Sequence, residues 1–125
     1  MRGVGMQITV LGSGSAGNCT LIESATTTVL LDAGLSARQI TQRLQMIGRN
    51  IEQVSAIVLT HEHSDHSGAL VVLSKTRPLA VYANRLTAEA VAETAQTNGE
   101  RRISWRLFSN GQPFEVGDVA FEPFT

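Results

Sequence analysis

Residues 61–66 read His-Glu-His-Ser-Asp-His and hold every histidine of the chain. Imidazole and carboxylate are donors for divalent cations, and no thiolate stands among them. In extended backbone, side chains i and i+2 point to the same side. His61 and His63 therefore present imidazoles to one point, as a single ion requires. Asp65 and His66 follow where the chain must turn into the next helix. That turn re-aims them toward a second ion, roughly 4 Å away in paired sites. Zinc, manganese and iron all suit this donor set, and the sequence does not choose among them. Glu62 and Ser64 alternate out of phase with the two histidines, so Glu62 faces solvent or a ligand's partner rather than the ion. Scattered surface histidines are the competing reading. Three in six positions, interleaved with acids behind an apolar strand, weigh against it.

Such a cluster needs a frame. Residues 56–60, AIVLT, form an apolar run of the kind buried on both sheet faces, and the histidines follow its C-terminal end. That is where open α/β sheets place ligands. Upstream, residues 6–11, 19–24 and 27–32 are short β-type runs. Ser36 caps a helix through Ile47, with Ile40, Leu44 and Ile47 on one stripe and Gly48 as its stop. Residues 67–76 read as a helix whose Leu70, Val71 and Leu73 are core. Residues 79–83 read as a second buried strand, and 87–97 as an alanine-rich helix closed by Asn98-Gly99. Residues 103–108, 114–116 and 119–124 return to β, the last two about a Gly117-Asp118 turn. The class is α/β or α+β, with a mixed sheet and helices on one face.

Composition narrows the surroundings. At 125 residues the chain is one domain or part of one, and its net charge of −1 gives no field toward nucleic acid or membrane. A single cysteine, Cys19, forms no internal disulfide and reads as a small buried residue, which fits a reducing cytoplasmic setting. The first residues lack the apolar core of a signal peptide. No stretch approaches the roughly 18 apolar residues of a membrane span.

Gly12-Ser13-Gly14-Ser15-Ala16-Gly17 has the form G-x-G-x-x-G, with Asp32 twenty positions past Gly12. A dinucleotide-binding loop would need a helix to open at the third glycine. The following NCTLIESATTTVLLD is β-branched and reads instead as paired strands, with the glycines as a turn near the mouth of the metal site. Asn18 either hydrogen-bonds at that mouth or stabilises the turn.

Taken together, LGSGSAGNCTLIE, LLDAGLS and LTHEHSDHSGAL resemble the metallo-β-lactamase-fold hydrolases, and most closely the YycJ-type (WalJ-type) subgroup, related to DNA-processing phosphodiesterases. The resemblance implies His61 and His63 as ligands of a first metal, and Asp65 and His66 as ligands of a second. It implies that Asp32 supports the histidine loop from behind; a plain strand-end cap is the other reading of that residue. It implies a metal-activated hydroxide, oriented by Asp65, attacking a phosphodiester, DNA above all. A glyoxalase II-like thioester is the lesser alternative.

The family fold is a four-layer αββα sandwich of two similar halves, about twice this length. Its further ligands, a His, a bridging Asp and a final His, lie in the second half, whereas no histidine follows His66 here. The chain is therefore expected to be the N-terminal part of such a domain, truncated at the C-terminus, with metal occupancy weakened. Its inner sheet face would be an apolar patch through which copies self-associate. The alternative from another class is a non-catalytic remnant that folds and oligomerises without turnover. Arg101-Arg102-Ile103-Ser104-Trp105-Arg106 mixes bases with an aromatic, as single-strand binders do, but a solvated edge strand accounts for it better.

Overall fold

The β-branched runs on either side of the glycine loop pair antiparallel, as β1 (Gln7–Gly12) and β2 (Cys19–Glu23). A computed structural model of the chain describes residues 6–13, 17–60, 67–75, 78–97 and 103–123, the side chains of residues 67, 68, 71 and 92–97 excepted. Ser24 closes the next turn: its backbone N–H donates to the Thr27 carbonyl at 2.8 Å, and its hydroxyl accepts from the Thr27 N–H at 3.0 Å. β3 (Thr28–Leu31) returns antiparallel to β2.

From β3 onward the pairing is parallel, through β4 (Ala56–Val58), β5 (Leu79–Ala83) and β6 (Ile103–Leu107). Parallel neighbours need crossovers, which the helices supply. These are α1 (Ala37–Met46), α2 (Ser67–Ser74) and α3 (Arg85–Thr97). The result is a six-stranded mixed sheet in the order β1-β2-β3-β4-β5-β6. A separate hairpin, β7 (Phe114–Val116) with β8 (Val119–Phe121), completes the described elements.

Ser36 caps α1 as its sequence predicts, in a reciprocal box with Gln39. Ala37, Ile40 and Leu44 are its buried stripe. Ile47 lies beyond the last turn and is exposed, so the predicted stripe is one residue shorter. A 3₁₀ turn at Ile51–Gln53, too short for a periodic signal in the sequence, leads into β4 and is capped by the Asn50 side chain. α3 opens at Arg85, two residues before the predicted start. The cause is Asn84, whose carbonyl Oδ1 accepts the Thr87 N–H at 2.8 Å as an N-cap.

Strand alternation divides the apolar residues into two cores. On one face Leu21, Leu30, Ile57 and Val81 meet Ile40 and Leu44 of α1, Leu70 of α2 and Val91 of α3. All three helices thus lie on a single face. On the other face Val29, Ala56 and Val58 meet Val116 of the hairpin, with Phe108, Phe114 and Phe121 packed around them. The expected bare inner face is therefore covered over β3 to β5. It stays open over β1, where Ile8 and Val10 are 65% and 61% exposed. Among the described residues, no helix is long and apolar enough to cross a membrane.

Candidate metal centre

The predicted ligands His61, His63, Asp65 and His66 fall outside the described residues, as do Glu62 and Ser64. What is described is the root from which they spring. β3 and β4 run parallel, so the residues just past their ends are neighbours. Asp32 follows β3, and its N–H donates to the Val58 carbonyl at 2.7 Å, prolonging the ladder by one rung. Its carboxylate then accepts twice from Thr60: from the backbone N–H at 2.8 Å and from the hydroxyl at 2.6 Å.

Thr60 is the residue before His61. The Asp32 carboxylate thus pins the chain at the point where the histidine segment leaves the sheet. Asp32 is half-buried rather than buried, and its φ of 64° is the left-handed value that Asp tolerates better than most residues. The Thr60 bonds tie the ends of the two strands together. Thr60 itself is not among the residues that the motif pattern marks. Its signal was a hydroxyl residue closing an apolar strand beside the cluster.

The glycine loop reaches the same place. A Cβ on Gly17 would lie 2.3 Å from the Gly34 carbonyl oxygen, and one on Gly34 would lie 2.6 Å from the Asn18 nitrogen. The Gly34 N–H donates to the Asn18 carbonyl at 2.8 Å. The two loops therefore press backbone on backbone, which only glycine allows at both positions. Asn18 sits next to the Asp32 loop through its main chain, as a stitch between loops. After Gly17 comes strand β2, paired with β3, as the β-branched sequence predicts and not as a dinucleotide-binding loop requires.

Cys19 is fully buried on the helix-facing core, and burial, with the Asp32 charge second, pushes its thiol up to about 12. It stays a neutral thiol at working pH. At the far end of the sheet, β6 is the edge strand. Trp105 packs against the helix-side core while Arg106 is exposed, as a solvated edge strand requires. Arg101 and Arg102 lie outside the described residues.

The chemistry of the donor set fits a divalent cation: three imidazoles and a carboxylate in six positions, with their root fixed by a carboxylate clamp. Beside Thr60 a recess of about 330 Å³ opens, lined in part by Asn84, Phe108, Phe121 and Glu122, none of which the motif pattern singles out.

Comparison with known proteins agrees with this frame. Exodeoxyribonuclease WalJ of Streptococcus pneumoniae serotype 2 is 35% identical over 124 residues, covering 99% of this chain and 46% of that protein. Exodeoxyribonuclease YycJ of Bacillus anthracis is 35% identical over 122 residues, covering 97% and 45%. The chain thus spans about half the length of the curated relatives it matches. Among solved structures, a diphosphatase of the PhnP family superimposes with a TM-score of 0.71 at 19% identity, over 94% of this chain and 55% of that one. A Cronobacter sakazakii metallo-β-lactamase superimposes at 0.70 with 22% identity, over 90% and 49%. Those two likenesses speak to the fold. The model of the metallo-β-lactamase superfamily matches residues 12–124, and the chain belongs to that superfamily.

Proposed function

We propose that this chain supplies the metal-binding half of a phosphodiesterase of the nuclease type, acting on DNA. The observation that carries this reading is the Asp32–Thr60 clamp, which fixes the exit of the histidine segment at the carboxyl end of a buried parallel strand. The nuclease names of the 35%-identical relatives support the substrate class.

In this reading His61 and His63 hold one cation, and Asp65 and His66 a second. Zinc is the first candidate, with manganese or iron as substitutes. A bound cation would lower the pKa of water toward about 7 and offset phosphate charge. Asp65 orients the attacking water as well as binding metal. Asp32 keeps the segment's root from shifting, which costs nothing at the moment of reaction because the bonds are already made. The four donors are half of a full two-ion set, consistent with relatives about twice as long. Copies of the chain associate through the apolar inner face around Ile8 and Val10. A reducing cytoplasm suits the lone buried thiol.

Metal analysis and a DNA degradation assay test the proposal together. Divalent metal should co-purify with the protein, and chelation should abolish release of nucleotides. His63→Ala should lower the rate by more than about a hundredfold, since losing a ligand exceeds losing a ligand's partner. Undiminished degradation in EDTA would remove the reading.

A further inference from the structure

β7 and β8 form a two-stranded sheet of their own. Among the described residues, no backbone-to-backbone hydrogen bond joins them to the six-stranded sheet they cover. The hairpin is fastened at its two ends instead. At the turn, the Ser24 hydroxyl donates to the Asp118 carboxylate at 2.5 Å, and the Asp118 N–H donates to Thr27 Oγ1 at 3.3 Å. At the base, the Phe114 ring stacks on Phe108 at 4.5 Å and on Tyr82 at 5.7 Å. Between these fastenings the contact is apolar and thin. Val116 and Val119 are buried, while Phe114 and Phe121 stay half-buried. The helix-side core, by contrast, draws buried residues from β2 to β5 and from all three helices.

The approach to the hairpin is also weakly held. Residues 109–113 are all exposed. Their one turn bond runs from the Gln112 N–H to the Ser109 carbonyl at 3.0 Å, and Gly111 sits at φ 83° with open space around it. The Gly111 N–H donates to the Pro123 carbonyl at 3.0 Å, which ties the two ends of the hairpin to each other and not to the sheet.

We infer that residues 111–123 are a strap that opens as one unit, pivoting about Ser109 and Asn110, while the six-stranded sheet and its helices stay folded. Units with few buried apolar contacts and no shared backbone ladder open below the free energy of global unfolding. Opening uncovers Val29, Ala56 and Val58. Ile8, Ile22 and Val29 are register neighbours across β1, β2 and β3, so the uncovered patch joins the open face of β1. Opening also removes Phe114 and Phe121 from the wall of the recess beside Thr60. The strap therefore sets how much apolar inner face is on offer and whether that recess has its aromatic wall. It stands independently of the phosphodiesterase reading.

Amide hydrogen exchange of the folded protein, read residue by residue by NMR, tests it. Amides of β7 and β8 should exchange at least about a hundredfold faster than those of β4, whose ladders to β3 and β5 break only with the whole fold. Ile40→Val thins the helix-side core, which the open state keeps. It should speed exchange in β4 about threefold to tenfold and leave β7 and β8 unchanged. Asp118→Ala and Phe114→Leu each undo one fastening and should speed β7 and β8 by about threefold or more. Equal protection of β7, β8 and β4 in the wild-type protein, or their acceleration together in Ile40→Val, overturns the strap, because the hairpin would then open only by global unfolding. Hairpin exchange untouched by both fastening variants overturns it as well.

Discussion

Asp32 combines a strained backbone with a polar task. A left-handed φ costs a non-glycine residue about 1 kcal/mol, and it persists here because the carboxylate finds two donors on Thr60. Asp32→Ala keeps the strain and loses both bonds. It should destabilise the fold by about 2 kcal/mol in denaturant titration and weaken metal affinity about 10- to 100-fold, while Asp32→Asn, which tolerates the same φ, should do less. Wild-type metal affinity in Asp32→Ala would show that the clamp does not position the ligands. Cys19 makes a contrasting case, since its burial leaves it nothing to do but pack. With the thiol raised from 9.0 to about 12, the native state holds a proton that the unfolded chain releases first. Its contribution to stability is complete below pH 9.0 and declines as pH rises toward 12. Thiol labelling near neutral pH should therefore follow global unfolding, and fast labelling of native protein would contradict the burial. The proposed ligand types rest on the sequence alone, where three imidazoles crowd into six positions, a density that chance placement of surface histidines rarely produces. Thr60 and the Asn84 cap were harder to see. Thr60 acts through a partner that only the parallel register of the sheet brings near, and Asn84 follows directly on β5, where the short connection hides its role as the cap of α3.

Elements show the same division. The strands and α1 follow from β-branched runs and a capping pair, which are local signals. The placement of the hairpin does not, because nothing local says which sheet face it covers. Its anchorage is explicit in the structure. Ser24 donates to the Asp118 carboxylate at 2.5 Å, and the Asp118 N–H donates to Thr27 Oγ1 at 3.3 Å. These bonds tie the β7–β8 turn to the β2–β3 turn. Gly117 sits there at φ 58°, and a Cβ on it would fall 2.2 Å from Thr27 Oγ1. Gly117→Ala should cost about 2–3 kcal/mol, combining left-handed strain with a clash against a partly fixed side chain. Thermal denaturation measures it, and an unchanged midpoint would mean the hairpin is not docked as described. The Ser24 hydrogen bond, followed by those from Thr27, also holds the Asp118 carboxyl below its ordinary 3.8. That contribution is present above pH 3.8 and is lost as pH falls through the lower folded value. The acid limb of the stability profile should flatten in Asp118→Asn.

At the scale of the whole molecule, the sheet is finished on one face and unfinished on the other. Helices bury the first face from β2 to β5, and the hairpin buries the second over β3 to β5. β1 is left at the end of the strand order with Ile8 and Val10 pointing away from the helices, both more than half exposed. The sequence led to the expectation of an apolar inner face because a four-layer fold requires one. It did not show that this chain's own hairpin would close the part nearest the site. The patch is thus smaller than a bare sheet and displaced to β1, whose outer edge has no strand partner among the described residues, a combination that favours pairing with another chain. Light scattering behind size exclusion should give a mass above that of one chain, and Ile8→Lys with Val10→Lys should return it to a single copy without lowering the melting temperature by more than a few degrees. Val10 sits two strands over from Leu31 in the register, about 10 Å away, and Ile8 lies farther back along the strand. Metal content should therefore be unchanged in the double variant. A wild-type protein that runs as one copy at millimolar concentration would mean that β1 tolerates water as it stands.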